Sequence, residues 1–330
     1  MPIRFYQITV ICFWLSTVTW LVSTKLMPAL RRGNPPNHHA ASVAKLAGTP
    51  PVIWDMKWNF HPVGWAANKI IKNRSGRIEV LSRLQFTDWP KSESTSSSWL
   101  SKQLTELGNQ RGGFQLKLTN RSVLDGNYQL KFIQSIITLG GDDLSHTIPW
   151  IRIQGDVNDD ELELAFYLGE RPLGKRTIPI RANCLVSSEI SPYGFMPRLR
   201  MHQQWTTYQI NPLRPPLSPQ PPIVAKVERF EPLVWKNQLT DTFLIVYRKD
   251  EGSGTRASED YLGRLWVQPE DGMVLQQEIM MLGSRVTLVR RDPNILDELR
   301  TRLEQDWHAP CDPIDLGRGT HPNHDSTPRP

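Results

Sequence analysis

Residues 77–86 read RIEVLSRLQF, and this stretch decides the fold class. Ile78 and Val80, then Leu84 and Phe86, alternate with polar neighbours, which is the two-residue period of a strand with one buried face. The same kind of run recurs at 114–118, 128–139, 148–155, 161–168, 175–180, 204–210, 223–235, 241–249, 263–268, 273–281 and 285–291. The sequence therefore predicts a mainly β (α+β) fold: a large curved antiparallel sheet or half-barrel with one or two packed helices.

Turn residues and helix signals set out the rest of this domain. His61–Pro62–Val63–Gly64 is predicted as the turn of a first hairpin, and the residues PEDG at 269–272 as a later turn in which Gly supplies positive φ. Helices are predicted at 96–108, after a Ser cluster, and at 292–307, where apolar residues follow an amphipathic period. Six Pro in 211–222 predict an extended crossover of polyproline type.

Composition excludes several classes of protein. With 330 residues, 39% of them hydrophobic, the chain has enough apolar content for a sizeable core, and its 27 Pro argue against an all-α fold. The formal charge is +6, but the basic residues are scattered among Asp and Glu. A mixed, solvated surface is the better interpretation, so we predict no nucleic-acid partner.

The N-terminal segment predicts a membrane anchor. Residues 5–22 read FYQITVICFWLSTVTWLV, without a charge, between Arg4 and Lys25. Eighteen helical residues at about 1.5 Å each nearly match a hydrocarbon layer of about 30 Å. No small-residue cleavage site closes the run, which favours an uncleaved, single-pass signal anchor over a cleaved signal peptide.

The predicted organisation follows from this anchor. It comprises an anchor at 1–24, a disordered linker at 25–51, a β-rich extracytoplasmic domain at 52–307 and a disordered tail at 308–330. The heavier positive charge after the anchor would by itself keep the C-terminal part in the cytoplasm. A short tail with an early Arg is nevertheless typical of signal anchors, so the bulk of the chain is predicted on the periplasmic side.

Residues capable of catalysis or metal binding are few. Asp142 and Asp143 are paired carboxylates on a predicted loop, which ordinary turn composition also explains. His308 and Cys311, with His321 and His324, have the spacing of zinc ligands, but no apolar residues surround them to pack a core. We predict no metal and no cofactor, and an enzyme is the less favoured class.

Three further candidates are interpreted structurally. Asp156, Asn158 and Asp160 resemble the start of a calcium loop that then fails, because Glu161 and Tyr167 stand where Gly and Glu are needed, so a hairpin turn is predicted. The pair His38–His39 lies in the predicted linker and is expected to be solvated. Cys184 and Cys311 are interpreted as free, although an oxidising compartment would allow them to pair.

Tryptophan is the remaining signal, with 12 in the chain. Large rings on predicted strands either fill a core or line an apolar cleft. The core interpretation leads; the candidate ligand-binding residues of the cleft interpretation are Trp58, Trp65, Trp150, Trp205, Trp235 and Trp266.

Several of these segments carry a resemblance. The stretches from Trp54 to Trp65, 82–86, 150–155, the Trp205 to Pro216 segment and 261–278 resemble uncharacterised membrane-anchored exported proteins of planctomycete-type bacteria. The last stretch is also similar to a periplasmic family of unknown function whose strand–turn–strand unit is that of lipoprotein-carrier (LolA/LolB-like) half-barrels. The resemblance implies a membrane-anchored envelope protein but supplies no catalytic motif.

Three functional hypotheses follow. The first is a non-enzymatic envelope protein whose Trp-lined sheet binds an apolar ligand, such as a lipid or acyl chain, or a protein partner. The second is a structural interaction module with a filled core. The third, and least favoured, is a metal-dependent envelope hydrolase that uses Asp142, Asp143 or the cluster of His308 and Cys311.

Overall fold

The strand that begins the sheet in sequence lies in its middle. In the computed structural model, Val52–Trp58 (β1) pairs with both the second strand and the last one, and from this centre the chain meanders outward to β8 and later returns from the opposite edge. The structure describes residues 2–23, 33, 35–74, 76–87, 115–140, 148–180, 184–185, 191–209, 222–250, 261–281, 284–294 and 298–307.

The described strands number fifteen. The first half comprises β1, β2 (His61–Lys72), β3 (Ile78–Phe86), β4 (Gln115–Leu124), β5 (Leu130–Gly140), β6 (Ile148–Asn158), β7 (Glu161–Leu168) and β8 (Arg171–Pro179). The second half comprises β9 (Cys184–Leu185), β10 (Gln204–Gln209), β11 (Ile223–Trp235), β12 (Gln238–Lys249), β13 (Gly263–Val267), β14 (Val274–Met281) and β15 (Ser284–Arg290). Their order across the sheet is 8-7-6-5-4-3-2-1-15-14-13-12-11-10-9.

The prediction of a mainly β, antiparallel fold is confirmed. Every described pair of neighbouring strands is antiparallel except β9 with β10, which is parallel. Two predicted strands have the bounds of β7 and β11, and the turn at 269–272 is present, with Gly272 at a φ of 78°. The predicted helix at 96–108 and the Pro-rich segment up to residue 221 lie outside the described residues.

The first hairpin turn differs from the prediction. Asn59 and Phe60 form it, with φ values of 45° and 75°, while His61 to Gly64 already belong to β2. A two-residue connection of this kind requires positive φ at both central positions, and Asn tolerates that conformation well. Gly64 has another role, because a Cβ at this residue would lie 1.9 Å from the carbonyl oxygen of Gln85 on β3.

Three helices are described: α1 (Pro2–Leu21), α2 (His38–Leu46) and α3 (Glu298–Asp306). Helix α1 exposes its apolar side chains, with Phe13 at 73% and Trp14 at 62%. Within the described ranges, no helix reaches both the length and the apolar character that crossing a bilayer demands. The chain divides into two compact units, Met1–Ile295 and Leu296–Pro330, and α3 belongs to the second.

Helix α2 differs from the prediction of a disordered linker over 25–51. The side chain of Asn37 caps it by accepting a hydrogen bond from the Ala40 N–H at 2.9 Å. Val43 and Leu46, one turn apart, are buried in the main hydrophobic cluster of the sheet. The helix has nine residues and buries one side only. Its helical pattern of apolar residues is therefore too short to be recognised within a segment rich in Ala, Asn and Pro.

Within the described residues, the sheet has a main core and a smaller one. The main cluster covers one face from β1 to β7 and continues through β10 to β15, and we call this face the inner face. The second cluster, Leu244, Val246 and Trp266, belongs to the opposite, outer face, since these residues alternate with inner-face neighbours such as Ile245 and Leu265.

Candidate functional site

The six predicted ligand-binding Trp residues do not gather at one site. Trp58 and Trp205 are buried in the inner-face cluster, whereas Trp266 is buried in the outer-face cluster. A cleft lined by these indoles would require them to share a face. The indoles of Trp58, Trp205 and Trp266 are therefore core side chains.

The other three Trp residues are half-buried. Trp150 packs at the margin of the main cluster, and Trp65 follows Gly64 on β2. Trp235, at the tip of the β11–β12 hairpin, donates a hydrogen bond from its Nε1 to the carbonyl oxygen of Arg290 at 2.8 Å. Its indole thus holds the hairpin against the end of β15.

An irregular segment, residues 191–203, crosses the inner face, and we call it the strap. At its start, Ser82 on β3 hydrogen-bonds Ser191. In its middle, the Met196 N–H donates to the Gly272 carbonyl at 2.8 Å. Near its end, the His202 N–H donates to the Val227 carbonyl on β11 at 3.0 Å. The strap is therefore held at several strands and covers much of the inner face.

Helix α2 is joined to the strap by a reciprocal contact. The Ser42 hydroxyl lies 3.3 Å from both the N–H and the carbonyl oxygen of Phe195, accepting from the first and donating to the second. Leu46 packs close to Gly194, where a Cβ would lie 2.6 Å from a Leu46 methyl carbon. Glycine at 194 thus permits the close approach of helix and strap.

A cleft remains between α2, the strap and strands β2 to β5. It encloses about 70 Å³, which is room for several water molecules. Its lining side chains carry hydroxyl, amide, imidazole and aliphatic groups, and none of them is Asp, Glu, Lys or Arg: His38, His39, Ser42, Leu46, Asn68, Ile70, Val80, Ser82, Asn120, Ser122, Ile133, Ser191, Pro192 and Tyr193, with the backbone of Gly194. The predicted Trp residues are not among them.

A row of polar side chains crosses the sheet beneath this cleft. Asn68, Ser82, Asn120 and Ser135 are successive cross-strand partners on β2, β3, β4 and β5. They are 6%, 2%, 5% and 2% exposed, respectively, within a face that is otherwise apolar. Burial of a polar group costs free energy unless it is hydrogen-bonded, so such a row is unusual in the interior of a sheet.

Asn68 is the member of this row that points to a ligand. Its Nδ2 donates to the Pro192 carbonyl, which can only accept, and this fixes the orientation of the amide. Its Oδ1 is buried and has no hydrogen-bond partner. Asn68 lines the cleft, so a donor that enters the cleft would satisfy this oxygen once the side chain turns toward it.

Two histidines border the same cleft in uncharged form. Burial lowers the pKa of His38 well below its usual range, and the neighbouring His39 adds to this effect. Burial lowers the pKa of His39 to about 4. The two rings lie 4.1 Å apart, and the ring of Tyr193 on the strap lies 5.0 Å from that of His38. The expectation that these histidines are solvated is wrong for His38, which is 8% exposed beside Tyr193 of the strap, while His39 is half-buried.

The buried guanidinium of Arg290, at the end of β15, also holds the strap. The Nη1 of Arg290 donates to the Gly194 carbonyl at 2.8 Å, and its guanidinium lies 4.9 Å from the centre of the Phe195 ring. Burial lowers the pKa of Arg290 to about 10. Arg290 is thus a positioning residue for the strap, not part of the cleft lining.

The remaining sequence candidates do not form a reactive site in the described residues. Asp159 and Asp160 have φ values of 45° and 65° in the β6–β7 turn, which confirms the predicted hairpin. Asp142, Asp143, His308 and Cys311 lie outside the described residues, as does any pairing of Cys184 with Cys311. Within the described ranges, no three His, Cys, Asp or Glu side chains gather as a metal site would require.

No protein-family model, no curated protein and no solved structure matches the chain. The described residues form an open antiparallel sheet with a strapped inner face and a small, uncharged, hydrogen-bonding cleft.

Proposed function

We propose that the protein is a non-enzymatic, membrane-anchored envelope protein that binds a ligand on the inner face of its sheet. The observation that carries this proposal is the buried polar row from Asn68 to Ser135, in which Asn68 lines the cleft and its Oδ1 has no hydrogen-bond partner. A face built only for stability would carry aliphatic side chains there, because a buried polar atom that is left unpaired costs about 1–3 kcal/mol.

Membrane attachment is the second part of the proposal. Residues 5–22 carry no charge, and from Tyr6 to Leu21 every side chain of α1 except the half-buried Val18 is exposed. Exposed apolar rings and branched chains are unfavourable in water and favourable in a lipid environment. We place the bulk of the chain on the periplasmic side, as the signal-anchor pattern favours.

Attachment is tested with the full-length chain in membranes washed with alkaline carbonate. The unaltered protein should stay in the membrane fraction, and the double variant Ile11→Lys, Leu15→Lys should move to the supernatant. A matched variant on the first described strand, Lys57→Glu, should remain membrane-bound. Release of the unaltered protein by carbonate would contradict an integral anchor.

Ligand binding is tested by native mass spectrometry of the protein purified from its own membrane. A bound small molecule supports the proposal, and its mass separates a lipid or acyl chain from a polar ligand. An acyl chain on the inner face would require the strap to move, because Phe195 of the strap and Leu46 of α2 already pack in the inner-face cluster. Protein that carries neither a small molecule nor a partner would contradict the proposal.

An interaction module is the second candidate function. The β11–β12 hairpin extends beyond the end of β13, and it exposes Val234 (67%) and Leu239 (72%) near its tip and Phe230 (57%) further back, opposite Phe243. The contacts of Trp235 with Arg290 and of Lys236 with Asp292, at 2.7 Å, hold this hairpin in place from behind. Exposed apolar groups on a fixed element are typical of a protein-binding surface.

A further inference from the structure

We infer that the cleft binds a small uncharged molecule that donates a hydroxyl or amide hydrogen bond to Asn68 Oδ1. This inference rests on the proposed binding function and names the chemical class of its ligand. The need for a donor follows from Asn68 itself, because one hydrogen of its Nδ2 is used by Pro192, whereas its Oδ1, which has no partner, can only accept. A carboxylate or phosphate oxygen placed there would face another acceptor and be repelled.

The absence of charge in the ligand follows from the lining. No Asp, Glu, Lys or Arg borders the cleft. His38 and His39 are neutral at pH 7 because burial lowers both pKa values. An ammonium group would satisfy Asn68 Oδ1 but would lose its hydration without gaining a counter-ion, and that desolvation opposes binding.

The neighbouring groups explain why water is not the best occupant. Leu46, Ile70 and Ile133 form apolar walls beside the hydroxyl and amide groups. A molecule that combines carbon with a hydroxyl or amide contacts both kinds of wall, whereas water satisfies only the polar one. Neutral polyols, sugars and N-acetylated sugars combine these groups.

The volume limits how much of the ligand enters. About 70 Å³ accommodates a few heavy atoms, so one hydroxyl-bearing or amide-bearing end is enclosed. The Ser82–Ser191 contact and the Ser42–Phe195 contacts border this space, which makes the strap and α2 part of the binding site. Ligand binding is therefore expected to protect the strap as well as Asn68.

The test uses the purified full-length chain in detergent and ligand-observed NMR titration. The neutral probes are glycerol, glucose and N-acetylglucosamine; acetate and ethanolamine are charged comparators, and laurate is an apolar one. We expect saturable binding of at least one neutral probe. The variant Asn68→Leu should weaken this binding about tenfold or more, since leucine has a similar size but no hydrogen-bond acceptor.

The matched control is Ser135→Val, which alters the same buried row but does not border the cleft. It should leave the affinity unchanged. Thermal unfolding establishes that each variant folds, and Asn68→Ser, which withdraws the acceptor by shortening the side chain, replaces Asn68→Leu if the latter does not fold. Equal binding by the unaltered protein and the folded Asn68 variant would overturn the inference.

The outcomes separate this inference from the function on which it rests. If only a charged or apolar probe binds, the inferred ligand class is wrong and the binding function stands. If no probe binds but a small molecule co-purifies from the native membrane, the inference is again overturned while the binding function stands. If nothing binds and nothing co-purifies, both are overturned.

Discussion

Arg290, the last residue of β15, donates a hydrogen bond to the carbonyl oxygen of Gly194, and this 2.8 Å contact ties the strap to the centre of the sheet. The arrangement is energetically mixed. The hydrogen bond and the aromatic contact with Phe195 favour it, while burial of the guanidinium opposes it, as the lowered pKa of about 10 indicates. Arg290 therefore serves the position of the strap more than the stability of the sheet.

The variant Arg290→Met is expected to separate these two effects. Methionine keeps the apolar stem and removes a buried charge, so the free energy of unfolding should stay the same or rise by about 1–4 kcal/mol. The strap should nevertheless loosen, with faster amide hydrogen exchange at Phe195 and Met196. Arg152→Met, which alters an arginine stacked on Tyr167 of the neighbouring strand, should leave strap exchange unchanged. Unaltered exchange in Arg290→Met would exclude the assigned role.

Gly272 gives a second, steric test of the same contact. Its φ is 78°, and a Cβ would lie 2.0 Å from the Met196 carbonyl oxygen on the strap. Gly272→Ala should therefore lower the free energy of unfolding by about 1–2 kcal/mol for the left-handed backbone and about 1–3 kcal/mol more for the clash.

Gly48 is the matched control for Gly272. It has nearly the same φ, 79°, but a Cβ there would meet nothing within 4 Å. Gly48→Ala should show only the backbone cost, of about 1–2 kcal/mol, in chemical denaturation. If the free energy of unfolding fell equally in the two variants, the strap would be able to move away from residue 272 at Met196 without destabilising the fold.

The sheet was predictable because its signal is local. Alternation sets each strand, and a meander follows when successive strands are joined by short turns, as at Asp159–Asp160. The position of β1 beside β15 depends on pairing across more than 200 residues, which no local pattern encodes. The strap was not predictable for the same reason, since residues 191–203 have no period and are defined by their contacts.

The sequence signal of the candidate site is a polar residue at an inward strand position that is otherwise apolar, and no sequence motif marks it. In β3 the inward positions are Ile78, Val80, Ser82, Leu84 and Phe86, so Ser82 is a polar residue at an apolar position. Asn120 interrupts the inward Leu residues of β4, and Ser135 interrupts the inward Ile133 and Ile137 of β5, in the same way. Only the register aligns these interruptions into one row. Trp58, Trp205 and Trp266, by contrast, are conspicuous in sequence but belong to the cores of the two faces.

Stability should depend on pH through the paired histidines of α2. The pKa of His39 is about 4 in the folded chain and about 6.5 when unfolded, so the neutral ring is favoured by folding. This contribution is fully present above about pH 6.5 and is lost as the pH falls toward 4, by about 3 kcal/mol at most. The lowered pKa of His38 acts in the same direction.

The variant His39→Gln isolates this effect, because glutamine remains neutral throughout. Denaturation between pH 7 and pH 4 should show a smaller loss of unfolding free energy in the variant than in the unaltered protein. His61→Gln, at an exposed position of β2, is the comparison. It should lose as much unfolding free energy between pH 7 and pH 4 as the unaltered protein. A pH dependence that is identical in all three proteins would refute the burial of His39.

The role of the indoles is tested by truncation. Trp205 is 1% exposed, and its ring meets that of Tyr247 edge-on at 6.4 Å. Trp205→Ala should cost about 3–5 kcal/mol of unfolding free energy, as expected for a large core side chain. A loss below about 1 kcal/mol would favour a ligand-lining role instead. Trp65→Ala, at a half-buried position, should cost clearly less.

The hairpin of β11 and β12 carries one exposed and one buried valine, so the effect of Val→Thr on the free energy of unfolding can be compared at the two positions. Val234 is 67% exposed at its tip, whereas Val246, on the same hairpin, is 2% exposed in the outer-face cluster. Val246→Thr buries a hydroxyl and should lower the free energy of unfolding by about 1–3 kcal/mol. Val234→Thr should change it by no more than about 0.5 kcal/mol. Similar losses of stability in urea for the two variants would contradict the exposed position of Val234.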